Sequence, residues 1–557
     1  MKRVLISLTM AFAFISTTDA QIVYRPQPEE WKNLAQGGEF QDRFEPMPDG
    51  KRKKMTWGEA GVKSRYVDNG LESDDISFWG GDIVKGDDGK FHMFACGWAE
   101  NSEKGHFAYP QSRVYHAVSD NRIGAYKVVD ELGDGHNPEI IPLKDGGFMI
   151  YHVTQYPNKL DISKNMCYYY SDDLNGDWEK RIMDIDMRDR EVRLGGGTWF
   201  HNMSFCQRED GSILAILRNG SIWISEKGTS TFNLVTDRSI YPLTNGRYED
   251  PVIWYDGIQY NVIVNDWIGR TAFYLRSKDG INWVSDPGTA YTPGISIHAD
   301  GVKEEWYKYE RIRILQDDKG RAIQANFAVI DIDKHSDLAN DNHSSKNISI
   351  PLNRGVILSL IDNEPIHAKT KSIRVKISAE EGFDPITAVD VESLRFGANS
   401  EVNYGRGAKA IKSEADGKDL IVTFEGINHC IDESEFAPKM LGRSCDGKLL
   451  FGYVRLPWLS YISEIVSARS PIVKGNKLSV VVENFGQVVS RPTYLTIEKA
   501  DSNGVEREVV TIAVPAIDPY KSVTLTANSN SVKSGDPIKV KILTREGKTT
   551  IFKTTSK

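Results

Sequence analysis

Carboxylates and imidazoles near the starts of apolar, strand-like runs are the side chains of this sequence that could do chemistry. Hydrolysis of a glycosidic bond needs a proton donor on the leaving oxygen and a carboxylate that acts on water or on the anomeric carbon. Asp82 is the candidate base. Glu249 is the candidate proton donor, because its neighbour Asp250 and nearby aromatic residues would raise its pKa. Asp250 would orient the sugar, and His298 could hold a cation or a water molecule, or could donate the proton.

Each of these residues also has a purely structural interpretation. Asp82 could cap a turn at the entry of a strand, a single His such as His298 is usually structural, and Glu310 with Arg311 could form a plain ion pair. Tryptophans on strands are more often core residues than sugar platforms. With those alternatives open, the candidate substrate-binding residues are Trp79, His136, Asn137, Glu139, His201, Asp266, Glu310 and Arg311.

The elements that would position these residues recur along the chain. Five segments have the pattern of a β-hairpin, each with a glycine at its turn: Gly89, Gly146, Gly211, Gly257 and Gly320. In the first four units the hairpin is followed by an apolar-aromatic run that ends in Ser-Asp or a similar pair. Units of three to four short strands, repeated about every 46 to 65 residues, predict an all-β fold with a five-bladed β-propeller.

A propeller would gather the candidate residues although they are far apart in sequence. The first strand of every blade lies against the central axis, so the residues at its start face one shared cavity. The repeat would bring together the starts of the five first strands, at Asp82, 136–139, 201–202, 249–250 and 310. A concavity lined by titratable groups is the expected place for an active site.

The bulk properties bound the class of protein. A net charge of −8 and a pI near 5.9 argue against a nucleic-acid partner or an anionic membrane surface, both of which need a basic face. Residues 1–20 have a basic start, an apolar core and the small residue Ala20, the pattern of a secretory signal peptide too short to span a membrane. We therefore expect an exported protein, periplasmic or secreted, without membrane insertion; its oligomeric state is not predicted.

Changes in composition and in the pattern of strand-like runs predict four segments after the signal peptide. An N-terminal extension at 21–74 packs on the propeller at 75–364, and two β-sandwiches follow at 365–458 and 459–557, the last immunoglobulin-like. The run GVILSLI at 355–361 is predicted to supply an outer strand of the last blade. Five cysteines are too few for a disulfide scaffold, and Cys430 and Cys445 could either form one local disulfide or remain free.

The same residues resemble five-bladed propeller glycoside hydrolases of the clan that contains family 43, and more closely those of family 117. The resemblance covers roughly residues 75–360 and depends on Asp82, the segment 137–139, the Glu249-Asp250-Pro251 segment and His298. The family 43 pattern implies Asp82 as base, Glu249 as acid and inversion at the anomeric carbon. The family 117 pattern implies Asp82 as base, Asp250 on the sugar and His298 as proton donor.

Residues and resemblance together predict an exo-acting glycoside hydrolase on a plant or algal oligosaccharide, arabinosidase- or xylosidase-like or a 3,6-anhydro-galactosidase. No cofactor is expected to be required, although a divalent cation or an ordered water could sit on the axis, with His298 as a ligand. The alternative is a catalytically silent, carbohydrate-binding propeller of a polysaccharide-utilisation system. In that case the His201-Asn202 pair, where family 43 places an Asp, marks lost chemistry.

Overall fold

The computed structural model describes residues 27–53, 65–153, 166–186, 202–236, 239–242, 246–339, 345–543 and 549–557. Within these ranges the chain is nearly all β, and none of their helices is long and apolar enough to cross a membrane. The helices are the 3-10 helices Glu29–Asn33, Phe40–Arg43 and Gly105–Gln111 and the short α-helices α1 (Pro385–Ala388) and α2 (Asn399–Val402).

Two short strands precede five antiparallel sheets, each of which meanders in chain order. The short strands are β1 (Arg52–Lys53) and β2 (Arg65–Tyr66). The first sheet has β3 (Ile76–Lys85), β4 (Phe91–Ala99), β5 (Arg113–Ser119) and β6 (Lys127–Asp134). The second has β7 (His136–Pro142), β8 (Phe148–Val153), β9 (Met166–Ser171) and β10 (Glu179–Ile182). The third has β11 (Ser204–Gln207), β12 (Ile213–Ile216), β13 (Ile222–Ser225) and β14 (Asn233–Leu234).

The fourth sheet has β15 (Tyr248–Tyr255), β16 (Tyr260–Asp266), β17 (Thr271–Ser277) and β18 (Trp283–Ser285). The fifth sheet is three-stranded, with β19 (Lys308–Gln316), β20 (Ala322–Ile330) and β21 (Ser345–Pro351). The predicted hairpin turns are present in all five sheets, and each turn glycine has the positive φ that favours glycine, between 80° and 97°.

The first strands of the five sheets contact one another in a cycle: β3 touches β7, β7 touches β11, β11 touches β15, β15 touches β19, and β19 returns to β3. This arrangement is consistent with a β-propeller. Because each sheet is covered on both faces by its neighbours, inner strands such as β16 and β17 are buried along their whole length. Between the second and third sheets, Tyr151 packs on Phe205 with ring centroids 5.0 Å apart.

N-terminal residues close the ring on the outside of the fifth sheet. Phe44 bridges to Leu352 and Leu71 to Asn347, so this segment pairs along the outermost strand, β21. The Asn69 side chain donates to the carbonyl of Ser349 at 3.0 Å and accepts from its N–H at 2.8 Å.

The region after the ring contains one seven-stranded sheet. Its strands are β22 (Leu358–Leu360), β23 (Ser372–Ile377), β24 (Val389–Gly397), β25 (Ala408–Asp416), β26 (Asp419–Glu425), β27 (Lys439–Ser444) and β28 (Leu449–Tyr453), in the order β22-β23-β26-β25-β24-β27-β28. The prediction that 355–361 adds to the last blade is wrong, because β22 pairs with β23 while β21 takes the outer position of the fifth sheet. Cys430 and Cys445 are free and exposed.

The C-terminal region is made of two four-stranded sheets around a shared apolar core that includes Val480 and Ile497. Its strands are β29 (Val466–Ala468), β30 (Ile472–Lys474), β31 (Lys477–Asn484), β32 (Thr493–Ala500), β33 (Glu506–Val514), β34 (Ser522–Asn528), β35 (Pro537–Leu543) and β36 (Thr549–Thr555). One sheet joins β29, β30, β31 and β34, and the other joins β33, β32, β35 and β36. Packing of two sheets in this way makes a β-sandwich.

Candidate active site

A β-bulge near the start of the first strand recurs around the ring. The register shifts between Trp79 and Asp82, and at the corresponding points of β7, β15 and β19. A residue with left-handed φ, between 51° and 57°, lies at each of these points and just before β11. Bulges of this kind re-aim side chains near functional sites. We call the five left-handed residues the bulge ring: Gly80, Asn137, Asn202, Asp250 and Arg311.

Two residues further along, four of the five sheets carry polar side chains that tie neighbouring sheets together, while the fourth carries the apolar Val252. Asp82 accepts the N–H of Ile140 at 3.0 Å, and Glu139 accepts the N–H of Phe205 at 2.7 Å. Ser204 Oγ accepts the next such N–H, from Ile253, at 3.1 Å. We call Asp82, Glu139, Ser204 and Arg313 the axial layer. Its hydrogen bonds are structural, because they satisfy backbone donors of the next sheet.

Two carboxyl groups of the axial layer have raised pKa values. Burial raises the pKa of Asp82 to about 6, although Arg313 opposes the shift. Burial likewise raises the pKa of Glu139 to about 7, although Arg313 forms an ion pair with it at 3.0 Å. Asp82 also accepts the N–H of Ile83 at 2.9 Å, so both of its oxygens are occupied by backbone donors.

Asn202 bridges Glu249 and Asp250, the two adjacent acidic residues of the fourth sheet. Its Nδ2 donates to Glu249 Oε1 at 2.9 Å and to Asp250 Oδ1 at 3.0 Å. Arg311 donates to Asn202 Oδ1 at 2.8 Å and pairs with Asp250 at 2.7 Å. Burial raises the pKa of Asp250 to about 7; Arg311 opposes this shift and Glu249 adds to it.

Glu249 is the more accessible of the two acids. Its side chain is 19% exposed and pairs with Arg218, itself 33% exposed, at 3.2 Å. Asp250, by contrast, is 1% exposed. Glu249 can therefore reach a ligand at the end of the ring while Asp250 holds the amide and guanidinium groups behind it.

Glu310 lies between two lysines. Lys308 Nζ is 2.7 Å and Lys334 Nζ 2.5 Å from its carboxylate oxygens. Burial raises the pKa of Glu310, but the two ammonium groups outweigh burial and hold the pKa well below its usual range. The Lys334 ammonium lies 4.7 Å from the ring centroid of Trp79, and that of Lys308 lies 5.2 Å from Trp267.

His136 is half-buried. It directly precedes Asn137 of the bulge ring, just as Glu310 directly precedes Arg311. Its Nδ1 lies 2.9 Å from Ser112 Oγ and 3.4 Å from Cys96 Sγ. Ser112 donates its single hydroxyl hydrogen to the carbonyl of Tyr109, so it accepts a hydrogen bond from His136 Nδ1–H. The neutral tautomer that carries its hydrogen on Nδ1 fits this network.

Several buried polar atoms of the bulge ring have no hydrogen-bond partner among the described residues. They are both side-chain atoms of Asn137, Oδ2 of Asp250 and Nε of Arg311. A Cβ built on Gly80 would lie 3.2 Å from Asn137 Oδ1 and 3.6 Å from Arg311 Cβ, so the Gly80 backbone lies close against these two side chains. Buried polar groups are nearly always hydrogen-bonded, so this arrangement suits a polar ligand.

Two predicted site residues have other surroundings, and a third is outside the described part of the chain. The contacts recorded for His298 are with the Pro48 carbonyl at 3.0 Å, Glu304 at 3.3 Å and the Tyr66 ring at 3.9 Å, not with the bulge ring. Asp266 is buried and accepts the N–H of Arg247 at 3.1 Å. His201 lies outside the described residues.

Three cations of the candidate site, Lys308, Lys334 and Arg218, were not predicted from the sequence. Lys308 could have been found, because residues two apart on a strand share a face and Lys308 precedes Glu310 by two. Lys334 and Arg218 lie in the loops after β20 and β12, where no periodicity points to them. No group of three or more His, Cys, Asp or Glu side chains in the described part of the chain is placed to hold a metal ion.

Comparison with known proteins gives distant structural likenesses. No family model matches the chain, and no curated protein matches it. An α-L-arabinofuranosidase from Lactobacillus brevis is 13% identical, with a TM-score of 0.34, over 50% of this chain and 92% of that one. The GH43 protein BlXynB from Bacillus licheniformis is 10% identical, with a TM-score of 0.34, over 86% and 89%. A protein of unknown function from Dyadobacter fermentans is 11% identical, with a TM-score of 0.32, over 56% and 94%. Likeness at this level decides neither the family nor the activity.

Proposed function

We propose that the five sheets are the blades of a five-bladed β-propeller, and that the protein is an exo-acting glycoside hydrolase whose active site is the bulge-ring end of the axis. The observation that carries the proposal is the set of polar side-chain atoms on Asn137, Asp250 and Arg311 that have no hydrogen-bond partner among the described residues. A sugar offers hydroxyl groups that can both donate to and accept from such atoms. Hydroxyl-rich ligands therefore suit this site better than apolar ones.

Glu249 donates the proton to the leaving oxygen in this proposal. It is the accessible carboxyl group of the fourth sheet, and Asn202 fixes its orientation at 2.9 Å. Asp250 positions Glu249 through the same amide nitrogen, to which it is bonded at 3.0 Å. Holding an acid in one orientation is what general acid catalysis requires.

His136 is the proposed base. The first strands of the second and fourth sheets are not neighbours in the ring, so in this proposal His136 and Glu249 flank a sugar on the axis from different sides. Its Nε2 can take a proton from water because Ser112 fixes the tautomer. Attack of water opposite the leaving group inverts the anomeric carbon. Asp82, the base expected from the sequence, is left out because both of its oxygens accept backbone N–H groups in the axial layer.

Export to the periplasm or the medium is also proposed, from the signal-peptide pattern of residues 1–20. A plant or algal oligosaccharide is the proposed source of the terminal sugar. No resident cofactor takes part in the proposed chemistry.

A test of the mechanism compares wild type with Glu249→Gln on plant and algal oligosaccharides. We expect product release to fall by about 10²–10⁴-fold, because a positioned general acid contributes about that much, while binding measured by calorimetry persists. His136→Asn should lose turnover to a similar extent. Asp82→Asn is the matched control and should keep turnover. Wild-type rates for Glu249→Gln would contradict the proposal, and loss of turnover in a folded Asp82→Asn variant would return the base to Asp82.

A second candidate function is a non-catalytic carbohydrate-binding propeller. Gly80 favours it, because the first sheet has no side chain at the position where the other four sheets carry polar side chains. Binding of an oligosaccharide by the wild-type protein without any release of product would establish this alternative.

A further inference from the structure

The active-site end of the ring carries a surplus of positive charge. Glu249 is balanced by Arg218 at 3.2 Å, and Asp250 by Arg311 at 2.7 Å. The single carboxylate of Glu310, however, faces the two ammonium groups of Lys308 and Lys334, at 2.7 and 2.5 Å.

The surplus charge is partly desolvated. The side chain of Lys308 is 12% exposed and that of Lys334 is 22% exposed, while Glu310 is 4% exposed. A charge withdrawn from water is unfavourable unless an opposite charge compensates it. The indole rings of Trp79 and Trp267 contribute cation–π attraction, but they do not cancel the charge.

The two lysines also have hydrogen-bonding capacity to offer a ligand. An ammonium group has three N–H donors, and its bond to Glu310 uses one of them. The two groups reach the site from different elements, because Lys308 lies at the start of β19 and Lys334 follows β20. The Glu310 carboxylate holds both ammonium groups close together. Their remaining N–H donors can therefore bind one anion together.

We propose that the substrate is an acidic oligosaccharide, whose anionic substituent is bound by Lys308 and Lys334 beside the bulge ring. The substituent is the carboxylate of a uronic acid or a sulfate ester, since both offer anionic oxygens to ammonium donors. This inference rests on the proposed function, because it names the substrate class of the same site.

Matched pairs of oligosaccharides test the inference with the full-length protein. One pair compares a uronic-acid oligosaccharide with its carboxyl-reduced form, and the other compares a sulfated oligosaccharide with its desulfated form. We expect at least ten-fold tighter binding and higher kcat/KM for one acidic member, with the advantage shrinking between 50 and 500 mM NaCl because salt screens partly exposed charges. The pair that shows the advantage identifies the substituent.

The outcomes separate the inference from the proposed function. Equal turnover of acidic and neutral members would overturn the acidic substrate while leaving the glycoside hydrolase intact. Tighter binding of an acidic member without product release would support the acidic ligand and contradict the enzyme. Binding of no member of either pair would overturn both.

Single variants assign the effect to the two lysines. Lys334→Met and Lys308→Met should each raise KM for the acidic member about ten-fold and leave that for the neutral member within about two-fold. Lys227→Met is the matched control, because Lys227 is 59% exposed and pairs with Asp145 away from the site. If Lys334→Met does not fold, Lys334→Arg keeps the charge and should keep the preference. An unchanged preference in Lys308→Met and in a folded Lys334→Met would overturn the assignment.

Discussion

Asp82 shows how residue type and place in the fold can point in different directions. A lone carboxylate at the start of a strand predicts a catalytic base. In the structure, however, both oxygens of Asp82 accept backbone N–H groups, from Ile83 and Ile140. Its neighbours in the axial layer, Glu139 and Arg313, form an ion pair at 3.0 Å. Together these side chains hold adjacent sheets in register.

The raised pKa values in the axial layer predict a pH-dependent stability. The pKa of Asp82 is about 6 and that of Glu139 about 7, both above their ordinary values near 4. The folded protein therefore binds protons that the unfolded chain releases, and the free energy of unfolding falls as pH rises from about 4 to 7. At about 1.4 kcal/mol for each unit of pKa, the total loss should be on the order of 5 kcal/mol.

Denaturant titrations of wild type and Glu139→Gln between pH 4 and 7.5 measure this effect. The variant lacks one of the carboxyl groups that titrate in this range, so its stability should fall less steeply across it. Curves that run parallel for the two proteins would show that Glu139 does not titrate in the folded state.

At the scale of the element, the β-bulge separates structural from functional side chains. The left-handed residue of each bulge belongs to the proposed active-site end, and in the first, second and fifth sheets the residue two places further belongs to the axial layer. Without the bulges, alternation along the strand would place both on one face.

Gly80 provides a test of the bulge. Its φ of 55° is unfavourable for alanine, so Gly80→Ala should destabilise the protein by about 1 kcal/mol. The new methyl group would also lie only 3.2 Å from Asn137 Oδ1 and push this side chain aside, so ligand affinity should fall about ten-fold. Gly89→Ala is the matched control, because its φ is 80° and nothing lies within 4 Å of the added Cβ. Thermal unfolding and calorimetry should show similar destabilisation in both variants and weaker binding only in Gly80→Ala.

The sequence was sufficient to predict the all-β class, the five hairpins and their turn glycines, since period-two runs and glycine turns are local signals. The bulges were not visible, because Asn137 and Asp250 tolerate left-handed φ and Arg311 gives no sign of it. The sequence therefore predicted that Asp82 and Asp250 share one site, whereas Asp82 belongs to the axial layer and Asp250 to the bulge ring. It also placed His298 at the axis, whereas the nonrepetitive connection before β19 packs His298 against Tyr66 of the N-terminal segment.

At the scale of the whole molecule, Arg43 joins three regions. Its guanidinium lies 4.7 Å from the ring of Phe40 in the N-terminal segment, 5.3 Å from Tyr274 in the fourth sheet and 4.3 Å from Phe451 in the seven-stranded sheet. It also donates to the hydroxyl of Tyr453 at 2.8 Å. The side chain is buried, so these contacts are shielded from water.

Arg43→Ala should destabilise the protein by about 2–4 kcal/mol, because it removes several desolvated cation–π contacts and a hydrogen bond. Arg406→Ala is the control, since Arg406 lies 5.1 Å from the Tyr404 ring at an exposed position, and its loss should change stability by less than about 0.5 kcal/mol. Thermal unfolding of the two variants makes the comparison. Equal effects would show that burial at the junction adds nothing.

The N-terminal segment can pair with β21 only late in synthesis of the chain. Asn69 emerges from the ribosome early, yet its partner Ser349 follows 280 residues later. At synthesis rates of about 5–20 residues per second, the interval is about 14–56 s. During this interval the fifth sheet has not yet been synthesised, so the ring of sheets cannot close. Such late pairing would suit the proposed export, in which the chain is threaded through a translocation pore before it folds.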